Sequence, residues 1–346
     1  MKDLVSIPMH FVTCYNYGLF FRLKRLENRN LRIFNYILLS PIMLVNGILN
    51  FLYYNTIGII TSRYELKTFQ KKTYKYDYGI VACVKNETPY IKEWLEYYRI
   101  LGVKKFYIFD NESNDNFKEY IKDYIDKGIV DYTFFAGKGK QYDMYYEGLK
   151  KCRKDCKYVS FLDIDEFLMP VNKEESIVSI ADYYWNKYDN MAALAVNWLI
   201  YGSAGHKTKP EGLVIENYLY RAKEDHDSNK CIKGICNPRL IKGYLTSSHF
   251  PITKNFMLKT VLQNGKKVTG PWVYYPDNSY EKLRVNHYFS KSENECREKF
   301  ERGNASRLSN NKRKWEEYEI FNRNEVYDDS MLYYADEIKK RLSNNY

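Results

Sequence analysis

From Tyr78 to Leu162, apolar runs of strand length alternate with segments of helical periodicity, and this alternation restricts the chain more than any other feature. Tyr78 to Val84 is a continuous apolar run, as expected for a strand covered on both faces. It ends in Lys85-Asn86-Glu87. Pro89 then opens a segment in which Tyr90, Ile91, Trp94, Leu95, Tyr98 and Leu101 recur at helical spacing, with Gly102 as a C-cap. The pattern repeats with a strand over Lys104 to Phe109, a polar loop over Asp110 to Asp115, and a helix over Phe117 to Ile125 closed near Gly128. A strand over Ile129 to Phe135 follows, then a helix over Gln141 to Cys152 and a last strand over Lys157 to Leu162. Strand and helix taking turns in this way predict an α/β domain with a mostly parallel sheet.

The last strand runs into Asp163-Ile164-Asp165-Glu166. Three carboxylates in four residues repel one another unless a cation sits among them. Hard divalent cations such as Mg²⁺ or Mn²⁺ take carboxylate oxygens and share them with substrate phosphates. In an extended chain Asp163 and Asp165 point to one face, so both can reach one ion. Sheets of this class bind ligands at the carboxyl ends of their strands. Lys85-Asn86-Glu87, Asp110-Asn111 and Asp163-x-Asp165 all fall there. Neither Gly-x-Gly-x-x-Gly nor Gly-x-x-x-x-Gly-Lys-Ser/Thr occurs, which speaks against dinucleotide oxidoreductases and P-loop enzymes. A nucleotide held by acidic loops and a metal is the reading that fits.

Four motifs, Val81-Ala-Cys-Val-Lys-Asn-Glu87, Glu93-Trp-Leu-Glu-Tyr-Tyr98 with Leu101-Gly-Val103, Phe109-Asp-Asn-Glu-Ser-Asn-Asp115 and Phe161-Leu-Asp-Ile-Asp-Glu-Phe167, stand in a recognisable order. In order and spacing they resemble glycosyltransferase family 92-like proteins and the bacterial family 2-like glycosyltransferases related to them. The likeness continues in Asn197-Trp198, in Tyr201-Gly-Ser-Ala-Gly-His206, and in Val285-Asn-His-Tyr-Phe-Ser-Lys-Ser292 with Lys299 and Arg302-Gly303. Tyr201 stands where relatives usually carry Phe.

The resemblance implies a GT-A-type (Rossmann-like) fold, a nucleotide diphosphate sugar donor (UDP-galactose in many relatives) and a divalent cation, Mn²⁺ or Mg²⁺. The expected reaction moves a hexose to a glycan or lipid-linked acceptor in cell-surface polysaccharide synthesis. Asp163 and Asp165 are the expected metal ligands, and the resemblance adds a late histidine, His287, as a third. Lys85, Asn86, Glu87, Asp110, Asn111 and Asp163 are the expected nucleotide-sugar contacts. Trp198 and His206 are assigned to the acceptor. If the reaction inverts configuration, a base must deprotonate the acceptor hydroxyl, and Glu166 and His206 are its candidates. A metal-dependent hydrolase of nucleotide sugars or phosphate esters would use the same acids and is the alternative.

The net charge of +11 suits an anionic partner. The basic residues are scattered and form no recognisable nucleic-acid module, so no nucleic-acid partner is expected. Seven cysteines without a Cys-x-x-Cys pair read as free thiols in a reducing, cytoplasmic compartment. No charge occurs between Arg32 and Arg63, and basic residues flank that stretch on both sides. Such a segment fits helices lying on the anionic inner face of a membrane, beside two other readings, a packed hairpin and a true span. The expected organisation is an apolar helical segment over 1–75, a transferase domain over 76–305 and a helical tail over 306–346.

Overall fold

The computed structural model describes residues 29–244, 247–303 and 313–344, and the predicted alternation is present. Strands β1 (Tyr76–Val84), β2 (Lys105–Asp110), β3 (Val130–Phe134) and β4 (Cys156–Phe161) run parallel in the order β3-β2-β1-β4. Helices Thr88–Ile100 and Gln141–Asp155 connect β1 to β2 and β3 to β4. The single helix expected over 117–125 is instead two short ones, Phe117–Tyr120 and Lys122–Asp126, parted at the fully buried Ile121.

Strands β5 (Glu166–Pro170) and β6 (Met191–Ile200) follow, then β7 (Tyr220–Arg221), β8 (Ile232–Cys236), β9 (Ile241–Gly243) and β10 (Ile252–Thr253). The remainder are β11 (Lys259–Leu262), β12 (Lys267–Val268), β13 (Leu283–His287) and β14 (Val326–Tyr327). The main sheet has the order β12-β11-β6-β8-β4-β1-β2-β3, with β13 joining β6 and β5. Strand β8 is antiparallel to both neighbours, β4 and β6. Every position of β4 and β6 is buried, which is why both read as mostly apolar runs, broken only by Lys157, Ser160 and Asn197, rather than as alternating ones. Gly148 lets its helix lie close on β1, since a Cβ there would sit 2.6 Å from Val81 Cγ1.

Both ends of the described chain are tied to this sheet. Helix Ile57–Thr68 is pinned through Glu65, which pairs with Arg239 and with Lys72 (2.7 Å). Asn255 donates to the Gly58 carbonyl (3.1 Å) and to Ser62 Oγ (3.0 Å). Phe69, just beyond, is buried against Tyr158 and Trp185. The preceding helix, Arg29–Asn55, runs on through Pro41 and exposes Phe34, Leu38, Ile42, Val45 and Leu49. The stretch Leu38–Lys71 is long and apolar enough to cross a membrane, by length and composition. At the other end Met331, Tyr334 and Ile338 enter the same core as β1, and Tyr334 packs edge-on against Tyr97 (5.1 Å between centroids).

Candidate active site

The acids sit in a turn. Strand β4 stops at Phe161, and the Glu166 N–H donates to the Asp163 carbonyl (3.1 Å) before the chain leaves as β5. Asp163 and Asp165 are therefore not presented by a strand's pleat, as the sequence suggested, but by a two-sided bend with the buried Ile164 at its root. The helix Thr88–Ile100 braces that bend. Trp94 Nε1 and Tyr98 Oη both donate to the Glu166 carbonyl (3.0 Å each). Tyr98 Oη also accepts from the Leu168 N–H (2.7 Å), and Tyr97 Oη donates to the Leu168 carbonyl (3.0 Å). The Glu93-to-Tyr98 motif is thus a scaffold for the acidic turn. Glu93 itself accepts from the Val214 and Ile215 N–H groups (2.8 and 3.1 Å).

The cations that relieve the acid repulsion are lysines. Lys233, on β8 and buried, reaches Asp163 Oδ2 (3.1 Å) and Glu166 Oε2 (3.0 Å). Burial would lower its ammonium, but Asp163 and Glu166 raise it above the ordinary lysine value, so it stays charged. Lys299, on helix Glu293–Arg302, lies 2.5 Å from Asp165 Oδ2 and also donates to the Phe289 carbonyl (3.1 Å). Burial alone would push the Asp165 carboxyl up. Lys299 and His287 outweigh it and hold the group well below the usual carboxylate range.

Glu166 corrects the sequence reading. It is fully buried, and its oxygens accept from the Asp163 N–H (2.8 Å), from Trp198 Nε1–H (2.9 Å) and from Lys233. Burial, outweighing the pull of Lys233, pushes this carboxyl up to about 8. A group saturated with donors, and shut from solvent, cannot take a proton from an acceptor. Trp198 is corrected with it. Its side chain is 6% exposed, its N–H is committed to Glu166, and its ring lies between His249 (4.8 Å) and His287 (4.1 Å). It forms the floor of the acidic cluster and offers no face to an acceptor.

The loops after β1 and β2 lock to each other. Asn86, at positive φ, accepts from the Asn114 N–H through Oδ1 and donates its own N–H to Ser113 Oγ (2.9 Å each). Asp110 accepts from the Ser113 N–H (2.9 Å) and from Tyr132 Oη (2.8 Å). Asn111 donates to the Phe135 and Gly137 carbonyls (2.9 Å each), fastening the loop after β3. Glu87 pairs with Arg302 (2.7 Å), which also donates to the Lys85 and Asn86 carbonyls. Of the expected donor contacts, Lys85 is the one whose side chain makes no hydrogen bond or ion pair among the described residues, and Asp163 meets Lys233 through Oδ2 only.

His287 faces Asp165 Oδ1 at 3.4 Å. Burial lowers the pKa of its imidazole, so the ring is neutral and keeps a lone pair, and its Nδ1 has no hydrogen-bond partner. Among the described residues no three of His, Cys, Asp and Glu close into a metal-holding group, Asp163, Asp165 and His287 included. His206 stands apart. Its carbonyl accepts from the Glu293 N–H (3.1 Å) at the start of helix Glu293–Arg302, and its ring meets Tyr218 edge-on. No hydrogen bond or ion pair among the described residues joins it to the acids. Lys233 escaped the sequence reading because a lone lysine in the apolar run Ile232–Cys236 carries no local motif; only its burial among apolar neighbours signals a partner.

The family model described as glycosyltransferase family 92 matches residues 78–320. A family 92 glycosyltransferase protein of Ricinus communis is 24% identical over 209 residues, covering 56% of this chain and 35% of its own length. One of Arabidopsis thaliana is 24% identical over 202 residues, covering 56% and 33%. The chain thus spans about a third of the length of the curated relatives it matches. Among solved structures, S. aureus TarS 1–349 in complex with UDP-GlcNAc aligns over 47% of this chain and 46% of its own, at 15% identity and a TM-score of 0.32.

Proposed function

The chain belongs to glycosyltransferase family 92, and from that premise we propose that it transfers a hexose from a nucleotide diphosphate sugar to a hydroxyl of a glycan or lipid-linked acceptor. The observation that carries this reading is the acidic turn: Asp163, its side chain 33% exposed with one oxygen open, stands beside Asp165 at the level carboxyl ends of β1, β2 and β4. The donor's diphosphate would lie against this turn. Lys85, just past the tip of β1 and without a side-chain partner among the described residues, would meet its charge. Asn86, Glu87, Asp110 and Asn111 act through the bonds they make with one another and with Arg302, which give the nucleoside slot its walls.

A divalent cation fits here. Mg²⁺-type ions are commonly held by one or two carboxylates and completed by substrate phosphates and water, which matches two adjacent acids without a closed protein cage. Asp163 and Asp165 would hold it, with the neutral His287 as the nearest further donor. Once bound, it would supply charge to stabilise the departing diphosphate. The protein's own contribution is preorganisation: Glu166, Trp198 and Lys233 fix the turn from below, and Lys299 screens Asp165 until substrate arrives. His206 remains the candidate base.

The exposed apolar helix Arg29–Asn55, with a net charge of +11 over the whole chain, supports peripheral attachment to the anionic inner face of a membrane, near a lipid-linked acceptor. The test is incubation with a panel of UDP- and GDP-sugars, with and without Mn²⁺, in the presence of glycan and lipid extracts. Metal-dependent transfer is expected. Free sugar released at an undiminished rate with acceptor present would identify a hydrolase instead.

A further inference from the structure

The proposed reaction needs an acceptor platform, and Trp198 does not supply it. A different aromatic group stands near the acidic turn, opposite the residues that lead into β8. Strand β8 is antiparallel to β4, with Ser160 opposite Ile235. Following that register brings Lys233 and Ile232 level with Leu162 and Asp163, in agreement with the Lys233–Asp163 contact. The residues just before β8 therefore overhang the acids. There Cys231 pairs with Trp272 in an antiparallel bridge, the Val273 N–H donates to the Lys230 carbonyl (2.7 Å), and the Ile232 N–H donates to the Pro271 carbonyl (3.3 Å). Val273 is sunk into an apolar cluster with Ala195 and Ile232.

The backbone of this loop is thus clamped while its rings face out. Trp272 is 56% exposed and Tyr274 50%. Lys230 holds its ammonium 5.8 Å from the Trp272 ring centroid and 5.3 Å from that of Tyr274, and no carboxylate pairs with it among the described residues. Two residues of extended chain, ~7 Å, separate Cys231 from Lys233. A large exposed ring costs solvation unless something covers it. Here the covering group must lie beside a cation and within a sugar's length of the acidic turn.

We propose that Trp272, Tyr274 and Lys230 form the acceptor subsite, and that the acceptor is an acidic glycan whose terminal pyranose stacks on Trp272 while its carboxylate or phosphate meets Lys230. The proposal rests on the transferase reading and names the acceptor's chemistry. A pyranose ring presents an apolar face of C–H groups to an indole, and the ammonium supplies the charge match that a neutral sugar would waste.

The test uses the full chain and three disaccharides, ending in glucuronate, in glucose 6-phosphate or in neutral glucose. Binding is read by isothermal titration calorimetry in every variant, with protection of tryptophan emission from acrylamide quenching as a second readout on the unaltered protein, and donor binding is read separately with UDP. Both anionic probes should bind several-fold more tightly than the neutral one, and the tighter of the two identifies the anion. Trp272→Ala should weaken binding by about tenfold or more, and Lys230→Gln should erase the anionic preference, with UDP affinity unchanged in both. Unchanged saccharide binding in Trp272→Ala, or equal binding of all three probes to the unaltered protein, overturns the proposal. So does protection of Trp272 by anionic vesicles and not by saccharides, which would make the loop a membrane contact. Failure of the unaltered protein to bind UDP or any nucleotide sugar would instead overturn the transferase reading.

Discussion

Asp163 and Asp165 stand two positions apart and face different surroundings. Asp163 is partly open, and its lysine partner keeps a second acidic partner in Glu166. Asp163→Asn should lower turnover by about a thousandfold, equivalent to ~4 kcal/mol of transition-state stabilisation, with little change in stability. Single-turnover kinetics beside a denaturant melt would check both. Asp165 is buried and paired with Lys299. Asp165→Asn should abolish turnover and also cost about 1–3 kcal/mol by leaving a poorly solvated ammonium without its carboxylate. Because the folded carboxyl lies below its unfolded value, this contribution is complete above the ordinary aspartate range and fades as pH falls below about 4. Denaturant melts of both proteins should therefore differ most near neutrality and converge in acid; a gap that widens in acid would refute the ion pair.

The elements that matter most to the site are those that hold the acidic turn from behind. Tyr98 serves two backbone groups at once, the Glu166 carbonyl and the Leu168 N–H. Tyr98→Phe keeps the ring but orphans a buried N–H, and should cost about 1–3 kcal/mol. Activity should fall too, because the turn loses an anchor; unchanged melting and turnover would show that Trp94 alone suffices. The C-terminal segment is fastened by Asp328, which pairs with Arg221 (2.6 Å) and Arg284 (2.9 Å). Asp328→Asn leaves two mostly buried guanidinium groups short of charge and should destabilise the fold by about 3–5 kcal/mol. Equilibrium unfolding in urea would measure it, and a loss under 1 kcal/mol would mean the pair is effectively solvated.

At the scale of the whole molecule, the N-terminal helices divide into one that is exposed and one that is built in. Removing residues 1–56 should release the protein from anionic vesicles and spare the fold. Removing residues 1–70 would also take away Glu65 and Phe69, exposing Arg239 and the core face of Tyr158, and should yield insoluble protein. Vesicle binding by the full chain should weaken as salt rises. Retention through high salt and carbonate would mean a true span, and no binding at all would discard the membrane reading. The alternation of strand and helix, the parallel sense of β1 to β4 and the placing of Lys85, Asp110 and Asp163 at the carboxyl ends of their strands were legible in the chain itself. Each depends on hydrophobic period and on neighbours close in sequence. What answers the three acids was not legible: Lys233 lies 70 residues from Asp163, and Lys299 lies 134 from Asp165. Nor was the inward turn of Trp198, the saturation of Glu166 or the exposure of Trp272. Side-chain burial and charge pairing are settled by which distant strands meet, and β8 slipping between β4 and β6 is a choice that only long-range packing makes.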